Sequence, residues 1–115
     1  MNIIRHEPGK ILSSAVEYGN LVFIAGTVPE DTSKPIEDQT REVLARIDAL
    51  LKKAGTSKSK VLWANCWLTD IRNRDGMNKA WLEWVDPANT PARATVEAKL
   101  ADPNILVEIA MVAGK

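Results

Sequence analysis

The stretch that most restricts the fold is Ile105 to Ala113. On a two-residue period Ile105, Val107, Ile109, Met111 and Ala113 share one face, and Leu106, Ala110 and Val112 share the other with Glu108. A strand apolar on both faces belongs in the interior of a sheet, with a neighbour on each edge and cover on each face. An ionised carboxylate in such a run is costly unless it is paired or kept near water. Glu108 therefore stands out as a candidate functional group.

A chain of 115 residues has the length of one domain, spanning 1–115. A domain of this size buries little more than ~60% of its unfolded surface, so burial through oligomerisation would help it. Fifteen basic and fifteen acidic residues cancel and are mixed in sign along the chain. This lacks the basic footprint of a nucleic-acid binder or a membrane-surface protein. No apolar run approaches the length of a membrane span, and the first residues lack a signal-peptide core, so a cytoplasmic protein is expected. Cys66 is the only cysteine, which excludes an intramolecular disulfide or a thiolate metal cluster.

Ile3-Ile4 reads as a short edge strand closed by Pro8-Gly9. Ile11 to Val16 and Leu21 to Ala25 form a hairpin about Tyr18-Gly19-Asn20, and Glu30 to Pro35 is a polar loop expected to be flexible. From Ile36 the period changes to that of a helix. Thr40, Val43, Leu44, Ile47, Leu50, Leu51 and Ala54 form a stripe, with acidic Glu37 and Asp38 first, Lys52 and Lys53 last, and Gly55 as the stop. A strand follows over Lys60 to Thr69, with Leu62, Ala64, Cys66 and Leu68 facing one way and Trp63, Asn65 and Trp67 the other. A second helix spans about Asn73 to Val85 on the stripe Met77, Ala80, Trp81 and Trp84, and Asp86-Pro87 ends it.

Pro91 to Leu100 returns to strand, with Ala92, Ala94, Val96, Ala98 and Leu100 on one side and Arg93, Thr95, Glu97 and Lys99 on the other. On this stretch alone, Arg93 reads as a solvated charge on an outer face. Its guanidinium, placed just after a rigid proline, equally suits bidentate recognition of a carboxylate. A hairpin about 101–104 joining this strand to the last would set Glu97 opposite Glu108 and keep Arg93 away from it. Each charge is then free to serve a pocket. The element order is α+β, with two helices able to cover one face of one sheet. If they cover the Cys66 side, Trp63 and Trp67 leave an apolar patch that predicts burial between subunits.

Other catalytic templates fail. Ser13, Ser14 and Cys66 lack an evident base, since His6 is the only histidine and lies near the terminus, and Cys66 reads as a small core residue. No acidic or histidine spacing suits a metal, and no glycine-rich phosphate loop is present. Trp81 and Trp84 read as core.

The runs GNLVFIAGTVP from Gly19, MNKAW from Met77 and PARATV from Pro91, together with Gln39-Thr40, Ala54-Gly55 and Val107-Glu108-Ile109, resemble the RidA/YjgF family. The tryptophan-rich second helix is most similar to its YoaB-like branch. The resemblance implies a chorismate-mutase-like α+β fold, a homotrimer with clefts between subunits, and no cofactor. It also implies hydrolysis of 2-imino acids, formed from enamines such as 2-aminoacrylate, to 2-keto acids and ammonia. Arg93 matches the family's substrate-binding arginine, and Glu108 matches the acidic residue that handles the attacking water. Ala25, Gly26 and Thr27 would line the same cleft. Two positions depart from the family pattern: Leu12 stands where many members carry tyrosine, and Ala25 where they carry serine or cysteine. Those departures favour an alternative, a non-catalytic trimer that binds small carboxylates or a partner protein.

Overall fold

The strand that ends the chain lies inside a six-stranded sheet. In a computed structural model describing residues 1–115, the strands are β1 (Ile3–Pro8), β2 (Ser13–Tyr18), β3 (Leu21–Thr27), β4 (Val61–Leu68), β5 (Ala92–Glu97) and β6 (Val107–Gly114). The helices are α1 (Ile36–Lys53) and α2 (Arg74–Trp84). Sheet order is β1-β2-β3-β6-β4-β5. β6 runs antiparallel to both its neighbours, and β4 and β5 are parallel. The two parallel crossovers, β3-α1-β4 and β4-α2-β5, place both helices on one face of this mixed sheet, an α+β architecture. Neither helix is long and apolar enough to cross a membrane.

Local chemistry explains the elements. Tyr18 pairs with Leu21 across a two-residue turn, and Gly19 supplies its φ of 60°. β2 lies two residues later than the alternation predicts, which leaves Ile11 and Leu12 exposed outside the strand. α1 ends where Gly55 turns at φ 78° and the Thr56 amide returns to the Leu51 carbonyl at 2.9 Å. Its inner face buries Val43, Leu44, Ile47 and Leu51 against Val22 and Ile24 of β3, Ala64, Cys66 and Leu68 of β4, and Val107, Ile109 and Met111 of β6. Each large aliphatic side chain buried this way contributes about 1.5–3 kcal/mol.

Three expectations are corrected. The strand from Pro91 stops at Glu97 and forms no hairpin with β6. It lies parallel to β4, and the following segment wraps round the end of β4, with the Ala98 amide on the Leu68 carbonyl (2.8 Å) and the Thr69 amide on that of Leu106 (3.2 Å). β6 can then enter on the other edge of β4. Leu62 does not join Ala64 on the helix side, because the register slips between Val61 and Trp63, Val61 takes the inward place and Leu62 is exposed. The 30–35 loop is tethered: Glu42 accepts from the amides of Glu30 (2.5 Å) and Asp31 (3.2 Å).

Gln39 completes that tether. Its buried amide donates to the carbonyls of Lys34 (3.0 Å) and Asn104 (2.9 Å) and accepts from the Leu106 amide (2.9 Å). Gln39→Ala strands these backbone groups and is expected to lower unfolding free energy by about 2–3 kcal/mol in urea denaturation.

Glu17, buried on β2, bonds His6 Nε2 at 2.5 Å and pairs with Lys115. Lys115 first, and then His6, hold its carboxyl below the usual range against the desolvation that opposes them. A depressed carboxylate stabilises the fold fully above its unfolded pKa, and the contribution fades as pH falls through the lower folded value. Glu17→Gln should therefore lower the denaturation midpoint at pH 7, and the gap to wild type should close as the pH drops below about 4.

Candidate functional site

Glu108 projects from β6 onto the face without helices, opposite Trp67 of β4. It is half-buried and takes part in no hydrogen bond or ion pair with another side chain, so its carboxylate is uncommitted. Space for it comes from Gly26. Between Ile24 and Thr27 the register of β3 on β6 shifts, and a Cβ added to Gly26 would stand 2.1 Å from Glu108 Oε2. Gly26 has no positive φ, so it is needed here for close approach and not for backbone conformation.

Bordering α1 lies a cleft of about 400 Å³, lined by Leu12, Ala25, Gly26 and Thr27 with Ser14, Val28, Ala49 and Leu50; Glu108 is not among its lining residues. The structure thus brings together the four positions expected to line substrate. Thr27 is buried and its hydroxyl donates to the Ala25 carbonyl at 2.9 Å, which leaves that hydroxyl only its acceptor capacity. Glu7, Glu30 and Arg46 also line the cleft.

Arg93 is elsewhere, and its surroundings differ from the solvated outer face that its own stretch suggests. On β5 it pairs with Ala64, and Thr95 pairs with Cys66, so both point to the helix-covered side. Its guanidinium carbon sits 4.8 Å from the centre of the Trp81 ring of α2. Trp81 is therefore both core and platform, packed against Trp84 with ring centres 5.4 Å apart. Arg93 Nη1 is buried without a hydrogen-bond partner, and so are Asn78 Oδ1 and Thr95 Oγ1. Asn78, Trp81, Leu82, Pro91 and Arg93 line a second cleft of about 340 Å³.

Sequence reasoning passed over Asn78 and Thr95. The available signals were spacing alone: Asn78 lies three residues before Trp81 on one helical face, and Thr95 two residues after Arg93 on one strand face.

Arg93 and Glu108 do not meet. β5 and β6 are separated by β4, about 10 Å at ordinary strand spacing, and the two side chains leave opposite faces of the sheet. The lack of contact expected from the sequence holds, for a different reason from the hairpin register. Cys66 offers no nucleophile: burial pushes its thiol up to about 11, although Arg93 and Thr95 nearby oppose the shift. No group of three His, Cys, Asp or Glu side chains is placed to hold a metal ion.

Residues 5–115 match the family model described as endoribonuclease L-PSP. A RutC family protein of Haemophilus influenzae is 47% identical over 114 residues, covering 98% of each chain. The RutC family protein YoaB of Escherichia coli is 40% identical over 113 residues, again 98% of each. The chain belongs to the RidA/YjgF family. The crystal structure of NMB1025, a YjgF family member from Neisseria meningitidis, superposes with a TM-score of 0.97 at 41% identity, covering 100% of this chain and 96% of that one. Membership in the RidA/YjgF family supports a general role in handling reactive intermediates and enzymatic activity of the RidA type.

In this RidA/YjgF chain the atom that Gly26→Ala would strike is the free end of a flexible side chain, so Glu108 can swing aside. The variant is expected to keep its stability within about 1 kcal/mol while its crystal structure shows the carboxylate displaced from residue 26.

Proposed function

We propose that this protein hydrolyses reactive 2-imino acids, formed from enamines such as 2-aminoacrylate, to 2-keto acids and ammonia. The observation that carries the reading is a pair of uncommitted charges of opposite sign: Arg93, with a buried, partnerless Nη1, lining a cleft with Asn78 and Trp81, and Glu108, half-buried against Gly26 on the open sheet face. Arg93 clamps the carboxylate of the imino acid and so fixes the C=N carbon. Glu108 positions a water and takes its proton as oxygen attacks that carbon. Collapse of the resulting carbinolamine releases ammonia and leaves the C=O, so water is the only co-reactant and no cofactor enters.

The two charges lie too far apart, and on opposite faces, for one small acid to bridge them within a subunit. The reading therefore includes a homotrimer with the chorismate-mutase-like arrangement, in which a neighbouring copy brings Arg93 to Glu108. Support comes from the uncovered sheet face, where Phe23, Trp63 and Val96 are all more than a third exposed. Such a patch on a small soluble chain asks for cover. A cytoplasmic setting suits this chemistry, and the balanced charge of the chain gives no support to a nucleic-acid substrate.

One observation favours a second reading, a non-catalytic trimer that binds small carboxylates or a partner protein. Leu12 and Ala25 line the cleft that Gly26 shares, with apolar side chains. Hydrogen bonds that merely assist binding contribute about 0.5–1.5 kcal/mol each, so their absence lowers a rate without removing the chemistry.

Following the loss of 2-aminoacrylate generated in situ separates the two. Wild type should accelerate the loss, Glu108→Gln should be slower by about 10²–10⁴-fold while still binding 2-oxobutanoate, and Arg93→Ala should lose activity and bind 2-oxobutanoate only weakly. No acceleration by wild type, with 2-oxobutanoate still bound, selects the binding protein. A monomeric mass in solution would sink the shared cleft.

A further inference from the structure

We propose that Trp81 is a positioning residue for the carboxylate clamp, holding the Arg93 guanidinium by its face so that every N–H stays free for the ligand. The inference rests on the reading of Arg93 as the clamp and adds what makes the clamp rigid.

Arg93 sits on β5, the outer strand of the sheet, and has no carboxylate within ion-pairing distance and no hydrogen bond to any neighbour. An arginine side chain with several rotatable bonds and no partner would ordinarily sample many rotamers. Here the indole of Trp81, 4.8 Å from the guanidinium carbon, is the directional contact. Trp81 cannot easily move: it is only 7% exposed, and Trp84 packs on it at an interplanar angle of 54°.

The choice of an aromatic partner has a consequence that a carboxylate partner would not. A carboxylate would occupy the fork of N–H groups and cancel the charge, and an incoming ligand would have to displace it. A ring face attracts the cation through its quadrupole and takes up no N–H. The guanidinium is held while its donors remain unsatisfied, as the buried and partnerless Nη1 shows. Asn78, one helical turn before Trp81 and lining the same cleft, does not restrain Arg93 by a hydrogen bond, because its Oδ1 is also unpaired.

Binding of 2-oxobutanoate, followed by NMR titration of the whole protein, tests this with Trp81→Leu, Trp81→Phe, Arg93→Ala and each Trp81 variant combined with Arg93→Ala. Trp81→Leu is expected to weaken binding by about five- to thirty-fold, and Trp81→Phe, which keeps an aromatic face, by about two- to five-fold. Neither should weaken binding further once Arg93 is alanine, because a residue that acts through Arg93 has nothing left to act on. Should Trp81→Leu not fold, the Trp81→Phe pair decides alone. Unchanged binding in the Trp81 variants, or the same loss with and without Arg93, overturns the proposal while leaving the clamp intact. Unchanged binding in Arg93→Ala overturns the clamp itself.

Discussion

The buried amide of Gln39 is the interaction on which the site's geometry depends. The Leu106 amide is the last backbone donor before β6 begins, and the Gln39 carbonyl oxygen receives it. The amide nitrogen holds Lys34 and Asn104. One side chain on the first turn of α1 thus sets where β6 starts and anchors the loop that follows β3. Glu108 lies two residues after Leu106, and Gly26 lies in β3 before that loop. Their close approach, within 2.1 Å of where a Cβ would be, requires both segments to be placed together. Polar satisfaction in the core acts here as the positioning device for a half-buried carboxylate left uncommitted on the open face.

The order of strands then decides which charges can cooperate. Arg93 pairs with Ala64, and Glu108 pairs with Trp67, both on β4. Positions 64 and 67 differ by an odd number, so their partners leave opposite faces of the sheet. No rotamer change can bring the two together. The helix layer claims the Arg93 side through Trp81, while the Glu108 side remains open. Strand parity alone therefore keeps one small acid from reaching both charges within this chain, and Phe23, Trp63 and Val96 are exposed on the same open face as Glu108.

Periodicity made the elements and their faces legible and left their neighbours open. α1 follows its stripe from Ile36 to the glycine stop, α2 ends ahead of Asp86-Pro87, and the inward row Ala64, Cys66 and Leu68 is where alternation puts it. The doubly apolar β6 is interior, as its composition demands. What alternation cannot encode is which strand an edge pairs with. Residues 101–104 read as a hairpin turn, but the chain over 98–106 wraps round the end of β4, because a parallel β4-β5 pair sends it out beside that end. Leu62 illustrates a second limit: one extra residue in a bulge exchanges inward and outward positions, and no local pattern marks it. Arg93 illustrates a third. The face of β5 that bears Arg93 and Thr95 looks more polar than the face that bears Ala92, Ala94 and Val96, yet it is the one that α2 covers. The indole that makes this tolerable lies 12 positions earlier in the chain.

That exception carries the physical meaning of the site. The chain satisfies Gln39 fully, yet leaves Arg93 Nη1 and Asn78 Oδ1, which line one cleft, buried without a partner, and Thr95 Oγ1 likewise on the Arg93 face of β5. A buried polar group without a partner costs about 1–3 kcal/mol, and a charged one more. Three of them together are comparable with a sizeable part of the roughly 5–15 kcal/mol that holds a domain folded. A cationic donor and an amide oxygen that line one cleft with an aromatic ring would complement a small acid bringing a carboxylate and a second polar group. Under the proposed clamp, these unpaired groups would hold binding energy in reserve, and the Trp81 ring beside Arg93 would keep its guanidinium oriented for a ligand.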